Sequence, residues 1–165
     1  GTDNAAHVGA LAAGGATVVV LSCGIRHYRS ATALSERTDA QSTLLISELP
    51  PTMTWDVGGA MARNRIVCAL ASAVIIVEAK ATGGTINAAR KALELGKPLF
   101  AVQLKGAKID VQGNKRLLRE GGRPLRVRYD SDSEAAEVDL APIIEAISQG
   151  PPFAPQSEQG DLFSP

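Results

Sequence analysis

The chain has 165 residues, of which 45% are hydrophobic, 21% charged and 4% aromatic, and its mean hydropathy is +0.04. This length suffices for one domain with a buried core, and the composition excludes a chain that is disordered throughout. No apolar run approaches the ~20 residues that a membrane helix requires, so no membrane partner is expected. The 17 basic and 17 acidic side chains cancel, which on its face argues against a nucleic-acid partner.

The charges are unevenly distributed along the chain. Residues 1–62 hold 3 basic and 5 acidic side chains, residues 63–128 hold 14 and 4, and residues 129–165 hold none and 8. The three segments therefore carry net charges of −2, +10 and −8. A cationic middle segment suits an anionic partner if its side chains form one surface, and the acidic end could compete for that surface.

Short β-branched runs alternate with longer alanine-rich stretches. The runs predict strands at Thr17–Ser22, Thr43–Ser47, Ala73–Glu78, Pro98–Val102 and Leu125–Val127. The stretches predict helices at Asp3–Ala13, Ala31–Gln41, Ala60–Ser72, Thr85–Leu95, Asn114–Glu120 and Ser133–Ser148. Strands that are apolar without alternation suit a sheet covered by helices on both faces. We therefore predict an α/β fold with a doubly wound, mostly parallel sheet over residues 1–149, followed by a disordered tail at 150–165.

The cysteines and the first residues of the chain indicate its cellular compartment and the chemistry that it can perform. Cys23 and Cys68 cannot form a disulfide framework, and the apolar neighbours of Cys68 predict a buried, unreactive thiol. No basic segment followed by an apolar one opens the chain, so we interpret it as cytoplasmic. Metal-ligand spacing and a nucleophile beside a base are both lacking, so we expect no cofactor, metal or catalytic residue.

The loops that follow the strands should hold the functional residues, because doubly wound sheets bind ligands beyond the carboxyl ends of their strands. Helix amino termini are partially positive and usually carry Asp or Glu in the first turn. Three predicted helix starts lack them: the one with Arg63, Asn64 and Arg65, the one at Thr82-Gly83-Gly84-Thr85, and the one at Gly113-Asn114-Lys115. Arginine at such a position favours a bound anion, and glycine leaves backbone N–H groups free to face phosphate.

Each of these three helix starts has a simpler explanation than a bound anion. An ion pair with Asp56 or Glu48 would explain the two arginines, and Gly-Gly and Gly-Asn are common turn dipeptides. The coincidence of three such starts on one predicted sheet edge favours an anion-binding site.

Taken in order, the loops resemble the DNA-processing protein A (DprA, also called Smf) family from Gly1 to about Pro124. The resemblance rests on Gly1-Thr2-Asp3 with Ala6-His7, Leu45-Ile46-Ser47-Glu48, Arg63-Asn64-Arg65-Ile66, Val77-Glu78-Ala79, Thr82-Gly83-Gly84-Thr85 and Gly113-Asn114. It implies an extended Rossmann-like domain that dimerises, binds single-stranded DNA in a basic pocket and helps to load a RecA-type recombinase during DNA uptake. The nucleic-acid-binding residues that we predict are Arg63, Asn64, Arg65, Thr82, Gly83, Gly84, Thr85, Asn114 and Lys115.

The chain departs from the family pattern at two places. Relatives have a phosphate-contacting Gly-Ser-Arg loop after an earlier strand, and this chain begins after that loop. Two strands that lie near the centre of the family's sheet are therefore expected to be absent from this chain. Relatives also often carry a lysine and a Phe-Pro pair before Arg-Asn-Arg, where this chain has Val57, Ala60 and Met61. Trp55 is either a substitute platform for a base or a tryptophan packed within a loop.

Two other functions use the same loops. The related LOG family hydrolyses nucleoside monophosphates with a Pro-Gly-Gly-x-Gly-Thr-x-x-Glu loop, but this chain has Lys80-Ala81-Thr82 in place of Pro-Gly-Gly and Ala88 in place of the acid. That substitution leaves no evident acid or base at the glycosidic bond. The third alternative is a sensor domain that binds a mononucleotide.

Overall fold

A computed structural model describes residues 1–29, 34, 39–104, 112–130 and 135–149. The described helices are α1 (Thr2–Ala12), α2 (Val57–Leu70), α3 (Gly84–Glu94), α4 (Gln112–Arg119) and α5 (Ala141–Ser148), with a 3₁₀ turn at Ile25–His27. The strands are β1 (Thr17–Val20), β2 (Thr43–Ile46), β3 (Val74–Ile76), β4 (Leu99–Leu104), β5 (Arg123–Asp130) and β6 (Ala135–Val138). The predicted tail and most of the predicted helix Ala31–Gln41 lie outside the described residues.

The strands are mostly parallel, as predicted. β1 pairs with β2 in parallel, β3, β4 and β5 follow one another in parallel, and β6 runs antiparallel to β5. The α/β prediction is confirmed, but the described strands form a two-stranded sheet and a four-stranded sheet, because no pairing joins β1 to β3.

Among the described residues, helices cover both faces of the four-stranded sheet near its middle. On one face Ile86 of α3 and Leu117 of α4 pack with Ala101, and on the other Ile143 of α5 packs with Phe100. Positions 99 to 102 of β4 are accordingly all buried. The expected cover on both faces is wrong for the first three strands, where Val18, Leu44 and Ile75 are 45%, 56% and 45% exposed.

The carboxy-terminal helix is half as long as predicted. Residues 135–138, expected in a helix Ser133–Ser148, form β6 against β5, and the helix begins only at Ala141. Pro142 explains the difference, because proline disrupts a helix interior but is well tolerated in the first turn. Asp139 Oδ1 accepts a hydrogen bond from the Ala141 N–H at 3.1 Å, which helps to set this start.

Candidate nucleic-acid interface

The first candidate helix start has an acidic cap. α2 begins at Val57, and Asp56 Oδ1 accepts a hydrogen bond from the Gly59 N–H at 2.8 Å. Arg63 and Arg65 therefore lie in the second and third turns rather than the opening turn. The first turn contains no acidic residue, as predicted, but the predicted start at Ala60 is wrong by three residues. The cap residue Asp56, which lies just before the helix, supplies the negative charge that the amino terminus favours.

Both arginines meet carboxylates at the carboxyl edge of β1 and β2. Arg65 Nη2 lies 2.6 Å from Glu48 Oε2, just past β2, and Arg63 Nη1 lies 3.5 Å from Asp3 Oδ2, in the first turn of α1. The ion pair between Arg65 and Glu48 is one of the two that the sequence analysis offered as an alternative to a bound anion. Exposed pairs of this kind contribute only about 0–1 kcal/mol, so a phosphate could exchange for the carboxylate at small cost.

Arg63 keeps one hydrogen-bond donor without an acceptor. Its side chain is 26% exposed, and its Nε atom is buried with no hydrogen-bond partner among the described residues. Buried donors are normally satisfied, and leaving one unpaired costs about 1–3 kcal/mol. The unpaired Nε is therefore a local cost in stability, and as a buried atom it is not open to a ligand from solvent.

The second candidate start has the geometry expected of an anion site. Gly83, the amino-terminal cap of α3, has φ +119°, a value that residues with side chains rarely adopt, and no side chain caps the helix. Thr82, Gly83, Gly84 and Thr85 are all exposed. The first-turn N–H groups of α3 consequently face outward without a side-chain acceptor, as phosphate-binding helix starts require.

The third candidate start has a structural role. Asn114 is only 1% exposed and lies inside α4 rather than ahead of it. Its Oδ1 accepts from the Ala79 N–H at 2.8 Å, and its Nδ2 donates to the carbonyl oxygens of Val77 at 2.9 Å and Val102 at 3.0 Å. The expectation that Asn114 offers a donor to phosphate or sugar is therefore corrected: its side chain ties the residues that follow β3 to the interior of β4.

Gly113 brings two lysines to the same edge. Its N–H donates to the Ala79 carbonyl oxygen at 3.0 Å, and a Cβ there would collide with the carbonyl oxygens of Ala79 and Lys80. The loop after β3 therefore lies directly against α4, which carries the predicted Lys115. Lys80, which the sequence reasoning did not select, joins Lys115 at this edge; both are exposed, and neither forms an ion pair within the described ranges.

A groove of about 260 Å³ separates α2 from α3. The predicted Asn64 and Arg65 line one side, and Asn87 and Lys91, which sequence reasoning missed, line the other. Their spacing of four residues on the amphipathic helix α3 is the signal that could have identified them. Met61 also lines the groove, and its Sδ lies 4.0 Å from the position of a Cβ on Gly84, so the groove reaches the start of α3.

The two helices that form this groove are held together at Cys68. Its Sγ donates a hydrogen bond to the Ala88 carbonyl oxygen at 3.3 Å, and the side chain is 1% exposed. Burial raises the pKa of the Cys68 thiol. The prediction that this thiol is buried is confirmed, and the raised pKa favours the protonated form, which is the less reactive one.

The cations of residues 63–128 do not form one continuous surface in the part of the chain that the structure describes. Arg90 and Arg116 both pair with Glu120, at 2.8 and 2.7 Å, and these two guanidinium groups lower the pKa of Glu120 to about 2. Lys97 and Arg123 line a cavity of about 380 Å³ at the opposite, amino edge of β4 and β5. Only part of the positive charge therefore lies at the candidate edge.

Trp55 is not packed within its loop. Its side chain is 60% exposed, and it stands directly before the cap residue of α2.

None of the described helices is long and apolar enough to cross a membrane.

Comparisons with known proteins agree on one family. The family model described as DNA recombination-mediator protein A matches residues 1–133. The whole chain is 29% identical to protein Smf of Escherichia coli, of which it covers 41%, and 83% of the chain is 30% identical to the DNA processing protein DprA of Bacillus subtilis, of which it covers 46%. The chain thus spans less than half the length of these relatives.

Solved structures of two relatives share the fold. DprA of Streptococcus pneumoniae superposes with a TM-score of 0.65 at 29% identity, over 75% of this chain and 44% of that one. DprA of Helicobacter pylori superposes with a TM-score of 0.56 at 29% identity, over 66% of this chain and 50% of that one. The Helicobacter pylori structure is described as revealing a single-stranded DNA binding mode.

Proposed function

Since this chain belongs to the DNA recombination-mediator protein A family, we propose that it is a cytoplasmic single-stranded DNA-binding module of DNA processing and recombination. One phosphate binds at the start of α3, where Thr82, Gly83, Gly84 and Thr85 present backbone and hydroxyl donors. The adjacent DNA backbone runs along the α2–α3 groove, where Asn64 and Arg65 donate to it, and Arg63 contributes the exposed part of its guanidinium.

The observation that carries the proposal is the start of α3. A positive-φ glycine cap without a side-chain acceptor opens directly onto a groove that contains arginine, and exposed Lys80 and Lys115 lie at the same carboxyl edge. Backbone N–H groups in fixed positions, beside flexible arginine and lysine side chains, suit the successive phosphates of a nucleic-acid strand. Contacts to phosphates do not depend on the base sequence. We therefore expect sequence-independent binding.

Binding of a fluorescently labelled oligothymidylate, followed by anisotropy, tests this function. We expect Arg65→Gln and Arg63→Gln each to weaken binding and to reduce the salt slope by about 0.7 per lost phosphate contact. Lys97→Gln is the matched control, because it removes one charge at the opposite edge and should leave affinity unchanged. A wild-type chain that bound AMP or dTMP but no oligothymidylate would contradict the proposal and support the mononucleotide sensor.

The family resemblance extends the proposal to partners. We propose that the chain forms a homodimer and that it presents DNA to a RecA-type recombinase. Sedimentation velocity of the chain alone, and of the chain with oligothymidylate and recombinase, tests both points. A monomer at all concentrations, or no three-component species, would contradict them without affecting DNA binding.

A further inference from the structure

A second exposed surface lies at the carboxyl edge of β1 and β2, outside the α2–α3 groove. It is formed by the 3₁₀ turn that follows β1 and by the loop that leads from β2 to α2. We call it the Trp55 surface, and its members are Ile25, Arg26, His27, Met53 and Trp55.

The two segments of the Trp55 surface are firmly held together. The Gly24 N–H donates to the Met53 carbonyl oxygen at 2.7 Å, and the Arg26 N–H donates to the Pro51 carbonyl oxygen at 3.1 Å. His27 Nε2 donates to the Thr52 carbonyl oxygen at 2.9 Å. A Cβ at position 24 would collide with the carbonyl oxygens of the facing loop, so glycine is required for this close approach. The surface is thus preorganised rather than a chance arrangement of loose side chains.

Its composition combines apolar area with unneutralised positive charge. Trp55 is 60% exposed, Ile25 50% and Met53 36%. Arg26 is exposed and has no carboxylate partner among the residues that the structure describes. The carboxylate of Asp56, which directly follows Trp55, accepts the capping hydrogen bond of α2.

An aromatic face beside an unpaired guanidinium suits single-stranded nucleic acid. Bases stack on aromatic side chains whatever their sequence, while cations hold the intervening phosphates. The surface is also continuous with the proposed interface, since Trp55 directly precedes Asp56, and Arg65 lies about 13 Å further along α2 at 1.5 Å per residue. A strand of a few nucleotides can therefore contact both.

We propose that Trp55 is a base-stacking platform and Arg26 a phosphate contact, and that they extend the single-strand interface from the α2–α3 groove across the ends of β1 and β2. This extension rests on the proposed function.

Trp55 is the chain's single tryptophan, so its intrinsic fluorescence reports directly on this surface. Oligothymidylate should quench that emission as it binds. An abasic oligomer of equal length should bind through its phosphates and leave the emission nearly unchanged. Absence of quenching by oligothymidylate at saturation would overturn the inference.

Variants provide an independent measurement by anisotropy of labelled oligothymidylate. Trp55→Ala should weaken binding about ten-fold, as the loss of one stacked base predicts, and Trp55→Phe should restore most of it. Arg26→Gln should reduce the salt slope by about 0.7. Val57→Ala, which truncates an exposed neighbour without a ring, is the matched control and should bind normally.

The outcomes separate this inference from the proposed function. If Arg65→Gln weakens binding but Trp55→Ala does not, the DNA-binding function stands and the Trp55 surface is not part of it. If the wild-type chain binds no oligothymidylate at all, both are wrong. Equal loss in Trp55→Ala and Val57→Ala would indicate a general effect on the loop and would overturn the stacking role.

Discussion

Asn114 Oδ1 accepts a hydrogen bond from the Ala79 N–H at 2.8 Å, and this bond joins α4 to the residues that follow β3. The same side chain donates to the backbone oxygen of Val77, directly after β3, and to that of Val102 within β4. One buried amide therefore fixes the loop from which the glycine cap of α3 departs. The position of the proposed phosphate site depends on a residue that does not itself contact the phosphate.

We expect Asn114→Ala to lower the free energy of unfolding by about 3 kcal/mol, because it removes three buried or partly buried hydrogen bonds to the backbone of Ala79, Val77 and Val102. Urea denaturation measures the change. Lys115→Ala, an exposed neighbour on the same helix, should leave stability within about 0.5 kcal/mol of the wild type. Similar stability of the two variants would show that the Asn114 hydrogen bonds contribute little.

Two helical glycines should respond oppositely to alanine. A Cβ on Gly113 collides with backbone oxygens of the adjoining loop, so Gly113→Ala should destabilise by about 1–3 kcal/mol. Gly9 lies in α1 with nothing within 4 Å of its Cβ position, so Gly9→Ala should stabilise by about 0.5–1 kcal/mol. Thermal unfolding of both variants checks the pair, and a stable Gly113→Ala chain would mean that α4 can move away from the loop.

The sequence predicts the alternating elements because β-branched runs and alanine-rich stretches differ in intrinsic preference and period. It does not reveal which way a polar side chain faces, so Asn114 in a Gly-Asn pair could be read equally as a turn residue or as a buried amide. The sequence predicts one continuous helix on both sides of Pro142. Residues 135–138 form a strand instead because they pair with β5, and the local sequence does not show that pairing. The exposure of Trp55 likewise depends on how two loops pack.

Glu48 competes with DNA for Arg65 in the proposed interface. Its carboxylate lies 2.6 Å from the guanidinium and must separate from it before a phosphate can bind. We therefore expect Glu48→Gln to strengthen oligothymidylate binding by several-fold, with the greatest effect at low salt, where screening is weak. Weaker binding by Glu48→Gln would indicate that the pair positions Arg65 instead of restraining it.

Glu120 should make part of the chain's stability sensitive to acid. Arg90 and Arg116 lower its pKa from 4.5 to about 2, so the folded chain takes up this proton less readily than the unfolded chain. The stabilisation is fully present above about pH 5 and is lost as the pH falls toward 2. Glu120→Gln should consequently be less stable at neutral pH and lose less stability on acidification.

Urea denaturation at a series of pH values tests this expectation. Glu137→Gln is the control, because Glu137 is 80% exposed and lies 3.9 Å from Arg128. It should follow the wild-type profile. A Glu120→Gln profile parallel to that of the wild type would contradict the assigned role of Glu120.

The most direct test of DNA binding is the salt dependence of oligothymidylate affinity for the 165-residue chain. If phosphates bind at the start of α3 and along the groove, the logarithm of the association constant should fall linearly with the logarithm of salt concentration. Two to four phosphate contacts predict a slope of roughly −1.4 to −2.8, at about 0.7 per contact. A flat line, or affinity equal to that of a mononucleotide at every salt concentration, would contradict single-stranded DNA as the ligand.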